Sequence, residues 1–147
     1  MEEQQDLKIY KSDNQKFRFL IVDDSPFIWK QVTKVIELLD GEVVGTASNG
    51  IEALKLYKEV YPDIVTCDIT MPEMDGIAAL KELKKMDADA NVIMITSVGW
   101  EAKVRQCILS GALNFIVKPF IIKEAAGKIH DTIKKRFSVE EEDIMVM

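Results

Sequence analysis

Charged and hydroxyl side chains follow or close four short apolar segments of the chain. Asp23 and Asp24 come directly after FRFLIV, Asp68 follows DIVTC, Thr96 closes NVIMIT, and Lys118 follows NFIV. If these segments are strands of one parallel sheet, their carboxyl ends share one edge, where ligands bind. An acidic pair alone could simply favour the positive end of a helix dipole. Three carboxylates that converge with a lysine and a hydroxyl indicate a functional site instead.

The acidic residues of this group predict a bound cation. Two carboxylates about 4 Å apart repel by about 4 kcal/mol at an effective dielectric constant near 20. Three of them raise one another's pKa values unless a cation neutralises them. Hard oxygen ligands on short loops suit Mg²⁺, which also accepts phosphate oxygens. We therefore expect Mg²⁺ as the cofactor, bound near Asp23, Asp24 and Asp68.

The same residues could carry out phosphoryl transfer. An aspartate beside a metal can attack phosphorus and form an acyl phosphate. The transfer depends on positioning and on neutralising the equatorial oxygens, which Mg²⁺, the Lys118 ammonium and the Thr96 hydroxyl could do. The chain contains neither GxxxxGK[ST] nor GxGxxG after a strand. We therefore expect the phosphoryl donor to be another protein or a small phosphate, not a bound ATP.

Five apolar runs alternate with five amphipathic stretches, and this alternation predicts the fold. The runs are rich in Val, Ile and Phe and are mostly continuous, which is typical of strands buried on both faces of a parallel sheet. Ser25 before Pro26, and Asn49, are good helix N-caps. The alternation predicts a doubly wound α/β fold, flavodoxin-like, with a five-stranded parallel sheet and five flanking helices. The predicted strands are 17–22, 42–47, 63–67, 91–96 and 114–117, and the predicted helices are 26–39, 50–60, 76–86, 100–110 and 121–137.

Composition predicts one soluble domain. The 147 residues are 48% hydrophobic and 30% charged, and the formal net charge is −6. This charge argues against nucleic acids and anionic membranes as partners, because both require clustered Lys and Arg. No apolar run approaches the roughly 20 residues of a membrane span, and the N-terminus does not resemble a signal peptide. We expect a cytoplasmic monomer in which Cys67 and Cys107 are free thiols.

The two ends of the chain differ from its centre. Residues 1–16 are polar and lack periodicity, so we expect a flexible N-terminal arm. The predicted domain covers residues 17–137. Residues 138–147 (SVEEEDIMVM) join an acidic cluster to an apolar tip and could be either a frayed tail or a docking segment. These ten residues are too few to form an output domain, and we therefore expect a stand-alone protein.

From Phe17 to Phe137 the chain resembles the receiver domain of bacterial two-component response regulators. Four segments carry the resemblance, and their order and spacing make it specific: LIVDDS at 20–25, DIVTCDITMPEMDG at 63–76, MITS at 94–97 and GALNFIVKPF at 111–120. The resemblance implies that Asp68 is the phosphorylation site. It also implies a metal site in which Asp24 is a direct ligand, Asp23 acts through water, and the backbone carbonyl of Thr70 completes the coordination.

The resemblance further implies a switch. Thr96 and Lys118 would contact the phosphoryl group, and the Lys118–Pro119 peptide is expected to be cis, which would aim the lysine inward. The family pairs that hydroxyl with an aromatic residue three positions before the lysine. Here it is Phe115, which lacks the hydroxyl of a tyrosine, so it is either a switch residue or part of the core. Phosphorylation adds about −1.5 to −2 charges. The added charge should shift a two-state surface formed by the fourth helix, fifth strand and fifth helix.

The DITMPEMDG and GALNFIVKPF segments look most like chemotaxis regulators of the CheY type. This likeness implies a chemotaxis-type histidine kinase as phosphoryl donor, a flagellar motor switch protein as target, and a possible phosphatase. The chain would be a signalling switch that only phosphorylates and dephosphorylates itself. One alternative is a phosphorelay intermediate or phosphate sink. Another is a phosphatase of the haloacid dehalogenase type, but that chemistry needs an acid two residues after the nucleophile, where this chain has Thr70.

Overall fold

The computed structural model describes residues 6–137 as a parallel sheet flanked by helices. The strands are β1 (Arg18–Val22), β2 (Glu42–Ala47), β3 (Ile64–Cys67), β4 (Val92–Thr96) and β5 (Asn114–Val117). The helices are α1 (Pro26–Leu38), α2 (Gly50–Val60), α3 (Gly76–Met86), α4 (Glu101–Leu109) and α5 (Ile122–Arg136). All ten predicted elements are present, with their ends within one residue of the prediction. In this part of the chain, none of the helices combines the length and the hydropathy needed to cross a membrane.

The strand order is β2-β1-β3-β4-β5, and every neighbouring pair is parallel. The chain leaves β1 towards β2 on one side and then crosses over to β3 on the other side. The direction of winding therefore reverses between β1 and β3. In doubly wound sheets such a reversal opens a crevice at the carboxyl ends of the two strands. The predicted fold class, doubly wound and flavodoxin-like, is confirmed.

The sheet is buried on both faces. Side chains alternate along each strand, so that Leu20 and Val65 face α2, α3 and α4 while Phe19 and Ile64 face α1 and α5. Burial on both sides explains why the strands are continuously apolar in sequence. Cys67 and Cys107 are buried on the α2–α3–α4 side as free thiols, as expected.

Side-chain caps begin the three helices that follow β1, β2 and β3. Ser25, Asn49 and Asp75 each accept a hydrogen bond from the backbone N–H three residues later. Each cap also ends the short loop at the carboxyl end of its strand. The caps therefore hold the loops in which the candidate site residues lie, and the predicted caps Ser25 and Asn49 are confirmed.

The N-terminal segment packs against the domain more closely than its sequence suggests. Leu7 and Ile9 are only 5% and 6% exposed and belong to the core between the sheet and α1 and α5. The Ile9 N–H donates to the Leu39 carbonyl at 3.2 Å, and Tyr10 forms an antiparallel bridge with Lys16. The expected flexible arm is therefore not observed from Leu7 to Lys16. Two apolar residues two positions apart are too short a pattern to stand out, yet they suffice to cover the end of a core. Residues 1–5 and the predicted tail, 138–147, lie outside the described residues.

Candidate metal and phosphoryl site

Three carboxylates meet at the carboxyl ends of β1 and β3. One oxygen each from Asp23, Asp24 and Asp68 lies within 4.8 Å of the others. The last residues of the two strands, Val22 and Cys67, are paired in the sheet, so the acids that follow them are neighbours. Asp23 and Asp68 are buried, whereas Asp24 is exposed to solvent. The sheet topology thus brings together the acids that the sequence predicted to converge.

Asp23 is held by four hydrogen bonds. Its N–H donates to the Ala47 carbonyl at 2.9 Å, and its Oδ1 accepts the Ser25 N–H at 3.0 Å. Its Oδ2 accepts from the Lys118 ammonium at 2.8 Å, and its carbonyl accepts from the Trp29 indole at 2.7 Å. Burial raises the pKa of Asp23, and the hydrogen bond and charge of Lys118 offset part of that rise.

Lys118 connects two of the acids. Its Nζ lies 2.8 Å from Asp23 Oδ2 and 3.4 Å from Asp68 Oδ2. The Lys118–Pro119 peptide is cis, as expected, and the Lys118 N–H donates to the Thr96 carbonyl at 2.9 Å. One ammonium thus lies against both the proposed metal-binding acid and the proposed phosphoacceptor.

Thr96 and Phe115 lie on the two neighbouring strands β4 and β5. Thr96 is fully buried, and its Oγ1 accepts the Val98 N–H at 3.3 Å. Phe115 is 6% exposed and packs in the core on the α2–α3–α4 side. Thr96 therefore lies at the same sheet edge as the acids. The proposed switch role of the pair stays a prediction.

The loop from β3 to α3 is packed tightly around Asp68. The Asp68 Oδ1 accepts the Ile69 N–H at 2.8 Å, and the Gly76 N–H donates to the Ile69 carbonyl at 2.7 Å. Thr70, the predicted carbonyl ligand, is exposed in this loop. The sequence patterns gave Gly76 no role, although Asp75–Gly76, the pair at the start of α3, is a turn signal.

The donor set of the site fits a divalent metal. When the three acids are ionised, Lys118 offsets one of their three charges, so two negative charges remain (−3 + 1 = −2). All side-chain donors are carboxylate oxygens, which Mg²⁺ prefers. Asp24 is exposed, so a hydrated ion can reach the cluster from solvent. The Mg²⁺ prediction is therefore consistent with the chemistry of the residues present.

Comparisons with known proteins agree with this geometry. The response regulator receiver domain family matches residues 19–134. The chain is 47% identical to the chemotaxis protein CheY of Bacillus subtilis over 116 residues, which cover 79% of this chain and 97% of that protein. It is 50% identical to CheY of Thermotoga maritima over 115 residues, which cover 76% and 96% of the two chains.

A solved structure is also similar to this chain, in fold as well as in sequence. The fold is similar to that of a chain in the CheX–CheY–BeF₃–Mg²⁺ complex of Borrelia burgdorferi, with a TM-score of 0.80 and 39% identity over 90% of this chain and 98% of that one. The sheet order, the acidic crevice and these relatives lead to one conclusion. The chain belongs to the response regulator receiver domain family and is a receiver of the CheY type.

Proposed function

We propose that this receiver accepts a phosphoryl group on Asp68, in a Mg²⁺-dependent step, from a histidine kinase of the chemotaxis type. One observation carries the proposal: the Asp68 carboxylate lies within 4.8 Å of Asp23 and Asp24, with the Lys118 ammonium 3.4 Å away. An Asp68 oxygen forms a bond to phosphorus while the bond from phosphorus to the donor breaks. The donor's leaving atom keeps the electron pair and takes a proton from water.

The surrounding residues have distinct proposed roles. Asp23, Asp24, Asp68 and the Thr70 carbonyl would hold Mg²⁺, which when bound neutralises charge on the phosphoryl oxygens. The Lys118 ammonium and the Thr96 hydroxyl would each contact a phosphoryl oxygen. Asp68 is 6% exposed, which would limit the access of bulk water to the acyl phosphate. We propose a signalling switch, and not an enzyme acting on a separate substrate.

We also propose that the signal leaves through the α4–β5–α5 side of the domain. Trp100, Val117 and Ile121 are among the apolar side chains exposed on or beside these elements, at 73%, 48% and 62%. We call them the output patch. Val117 pairs with Thr96 in the sheet, so a shift of Thr96 towards a phosphoryl group would act directly on this strand. Exposed aromatic residues often act as anchors in protein interfaces. The proposed target is a flagellar motor switch protein.

Intact-protein mass after treatment with acetyl phosphate tests the phosphoacceptor. We expect one added phosphoryl group in the presence of Mg²⁺, none with EDTA, and none for Asp68→Asn. Asp89→Asn, which changes an exposed aspartate of the α3–β4 loop, should label like the wild type. Equal labelling of Asp68→Asn and the wild type would show that the acceptor is another residue.

Binding experiments test the proposed output. A peptide from a flagellar motor switch protein should bind the phosphorylated form more tightly, and Trp100→Ala should weaken that binding. Transfer of the phosphoryl group to a histidine of a second protein, without peptide binding, would favour a phosphorelay intermediate or sink. Rapid turnover of a phosphomonoester would favour a phosphatase of the haloacid dehalogenase type. CheX is present with CheY in the Borrelia burgdorferi structure, so we propose a CheX-type protein as a further partner.

A further inference from the structure

Trp29 forms a direct contact with the acidic pair. It lies near the start of α1, half-buried, and its indole Nε1–H donates to the backbone carbonyl of Asp23 at 2.7 Å. The Trp29 carbonyl in turn accepts from the Thr33 hydroxyl at 2.7 Å. The indole also packs against the core on the α1–α5 side of the sheet. The donor therefore belongs to a side chain that is packed against the core.

This hydrogen bond fixes the orientation of the Asp23 carbonyl and also that of the peptide unit that joins Asp23 to Asp24. The carbonyl of Asp23 and the N–H of Asp24 belong to one planar peptide unit. A bond that orients the carbonyl therefore orients the backbone at which Asp24 begins. The carboxylates of Asp23 and Asp68 are also held through Lys118, which lies 2.8 Å from one and 3.4 Å from the other. Asp24 is the exposed member of the cluster. The position of its carboxylate therefore depends more on the orientation of the backbone than do the positions of the buried Asp23 and Asp68 carboxylates.

We propose that Trp29 is a positioning residue of the metal site. Its indole N–H holds the Asp23–Asp24 peptide so that the Asp24 carboxylate faces Asp68. Trp29 itself contacts neither the metal nor the phosphoryl group. The inference rests on the proposed Mg²⁺ site. It means that the Mg²⁺ affinity depends on a residue of α1 as well as on the three acids.

Trp29→Phe tests the inference, because phenylalanine keeps an aromatic ring and removes the N–H donor. Isothermal titration calorimetry should show Mg²⁺ binding weakened about tenfold, the lower end of what changes beside metal ligands produce. Tyr61→Phe is the matched control, since it also keeps an aromatic ring and removes a hydrogen-bond donor; Tyr61 is 72% exposed, and the variant should bind Mg²⁺ like the wild type. Urea unfolding without Mg²⁺ checks that both variants are folded.

The possible outcomes separate the two proposals. A wild-type protein that binds no Mg²⁺ would overturn the proposed function. A wild-type protein and a folded Trp29→Phe variant that bind Mg²⁺ equally well would overturn only the role of Trp29. Weaker binding by Tyr61→Phe to the same extent would also overturn that role, because the loss would not be specific to Trp29.

A second measurement on the wild-type chain does not depend on the folding of any variant. Trp29 and Trp100 are the two tryptophans of the sequence, so the NMR spectrum contains two indole N–H signals, which resonance assignment attributes to the two residues. The Trp29 indole proton should exchange with solvent more slowly than that of Trp100, and its signal should shift when Mg²⁺ is added. The inference is contradicted if the Trp29 indole proton exchanges as fast as the Trp100 proton, or if its chemical shift does not change at saturating Mg²⁺.

Discussion

The backbone of Gly76 lies so close to Asp68 that a Cβ atom on Gly76 would meet the Asp68 carbonyl oxygen at 1.8 Å. The obstacle is backbone, which cannot rotate away as a side chain could. Gly76 is the first residue of α3, and its N–H donates to the Ile69 carbonyl at 2.7 Å. The start of α3 and the strand end that carries the proposed phosphoacceptor are therefore packed as one unit.

Gly76→Ala should destabilise the domain and disturb Asp68. We expect a loss of about 3 kcal/mol in the free energy of unfolding, the upper end for overpacking, because backbone must move. Gly127→Ala is the matched control: a Cβ there meets no atom within 4 Å, and the residue is inside α5. It should add about 0.5–1 kcal/mol of stability, since Ala favours helix more than Gly does. Urea unfolding measures both changes, and a Gly76→Ala variant as stable as the wild type would rule out the tight packing.

Lys118→Met should strengthen Mg²⁺ binding and slow the phosphorylation of Asp68. Without the ammonium, the three acids would present three negative charges to a metal ion in place of two (3 − 1 = 2). The phosphoryl group would at the same time lose a positively charged contact. Calorimetry measures the affinity, and intact-protein mass over time measures the phosphorylation.

The same variant should be less stable when Mg²⁺ is absent. Lys118 pairs with a buried Asp23 at 2.8 Å, and removal of one partner of a buried ion pair costs about 3 kcal/mol or more. Added Mg²⁺ should restore part of the loss. Lys123→Met, which changes an exposed lysine of α5, should leave stability and metal affinity unchanged. Weaker Mg²⁺ binding by Lys118→Met would mean that the lysine does not compete with the ion.

Leu7→Ala should lower stability without affecting the site. Leu7 is 5% exposed in the core between the sheet and α1 and α5, so we expect a loss of about 2 kcal/mol in the free energy of unfolding. Leu109→Ala is the control, since Leu109 is 80% exposed and should change stability by less than about 0.5 kcal/mol. The N-terminal segment contacts Leu39 at the C-terminal end of α1, whereas the metal site lies beside the N-cap Ser25 at the other end. Mg²⁺ affinity should therefore stay at the wild-type value. Equal stability of Leu7→Ala and the wild type would show that the segment is not docked in solution.

A hydrogen bond between α2 and the loop after α3 should make stability depend on pH. The Tyr57 hydroxyl donates to the Asp87 carboxylate at 2.8 Å, and this bond is the main reason that the pKa of Asp87 lies below its usual value. Burial is the main reason that the pKa of Tyr57 is raised, so the hydroxyl keeps its proton. An Asp whose pKa is lower in the folded state contributes stability above its unfolded pKa. That stability is lost as the pH falls through the folded value.

Tyr57→Phe should therefore be less stable than the wild type near neutral pH, and the difference should shrink as the pH falls below about 4. Because Asp87 is partly exposed to solvent, we expect no more than about 1 kcal/mol. Urea unfolding across a pH series measures the difference. Tyr61→Phe, at a tyrosine that is 72% exposed, should match the wild type throughout. A Tyr57→Phe deficit that is the same at every pH would come from packing and not from this hydrogen bond.

The sequence by itself determined the elements and their order, because both depend on local patterns. Continuous apolar runs mark strands buried on both faces, and caps such as Ser25 and Asn49 mark helix starts. In a doubly wound sheet the carboxyl ends of the strands share one edge, so the sequence places Asp23, Asp68 and Lys118 at that edge. The assignment of roles to them came from the family resemblance and not from periodicity.

Only the tertiary structure decided how these residues touch. It brings the Lys118 ammonium closer to Asp23 than to Asp68, leaves Asp24 exposed, and bonds Trp29 to the Asp23 carbonyl. It also packs Gly76 onto Asp68 and buries Leu7. Such contacts depend on differences of about 1 Å between segments far apart in the chain, set by rotamers and by dense packing. Hydrophobic periodicity carries no information at that scale.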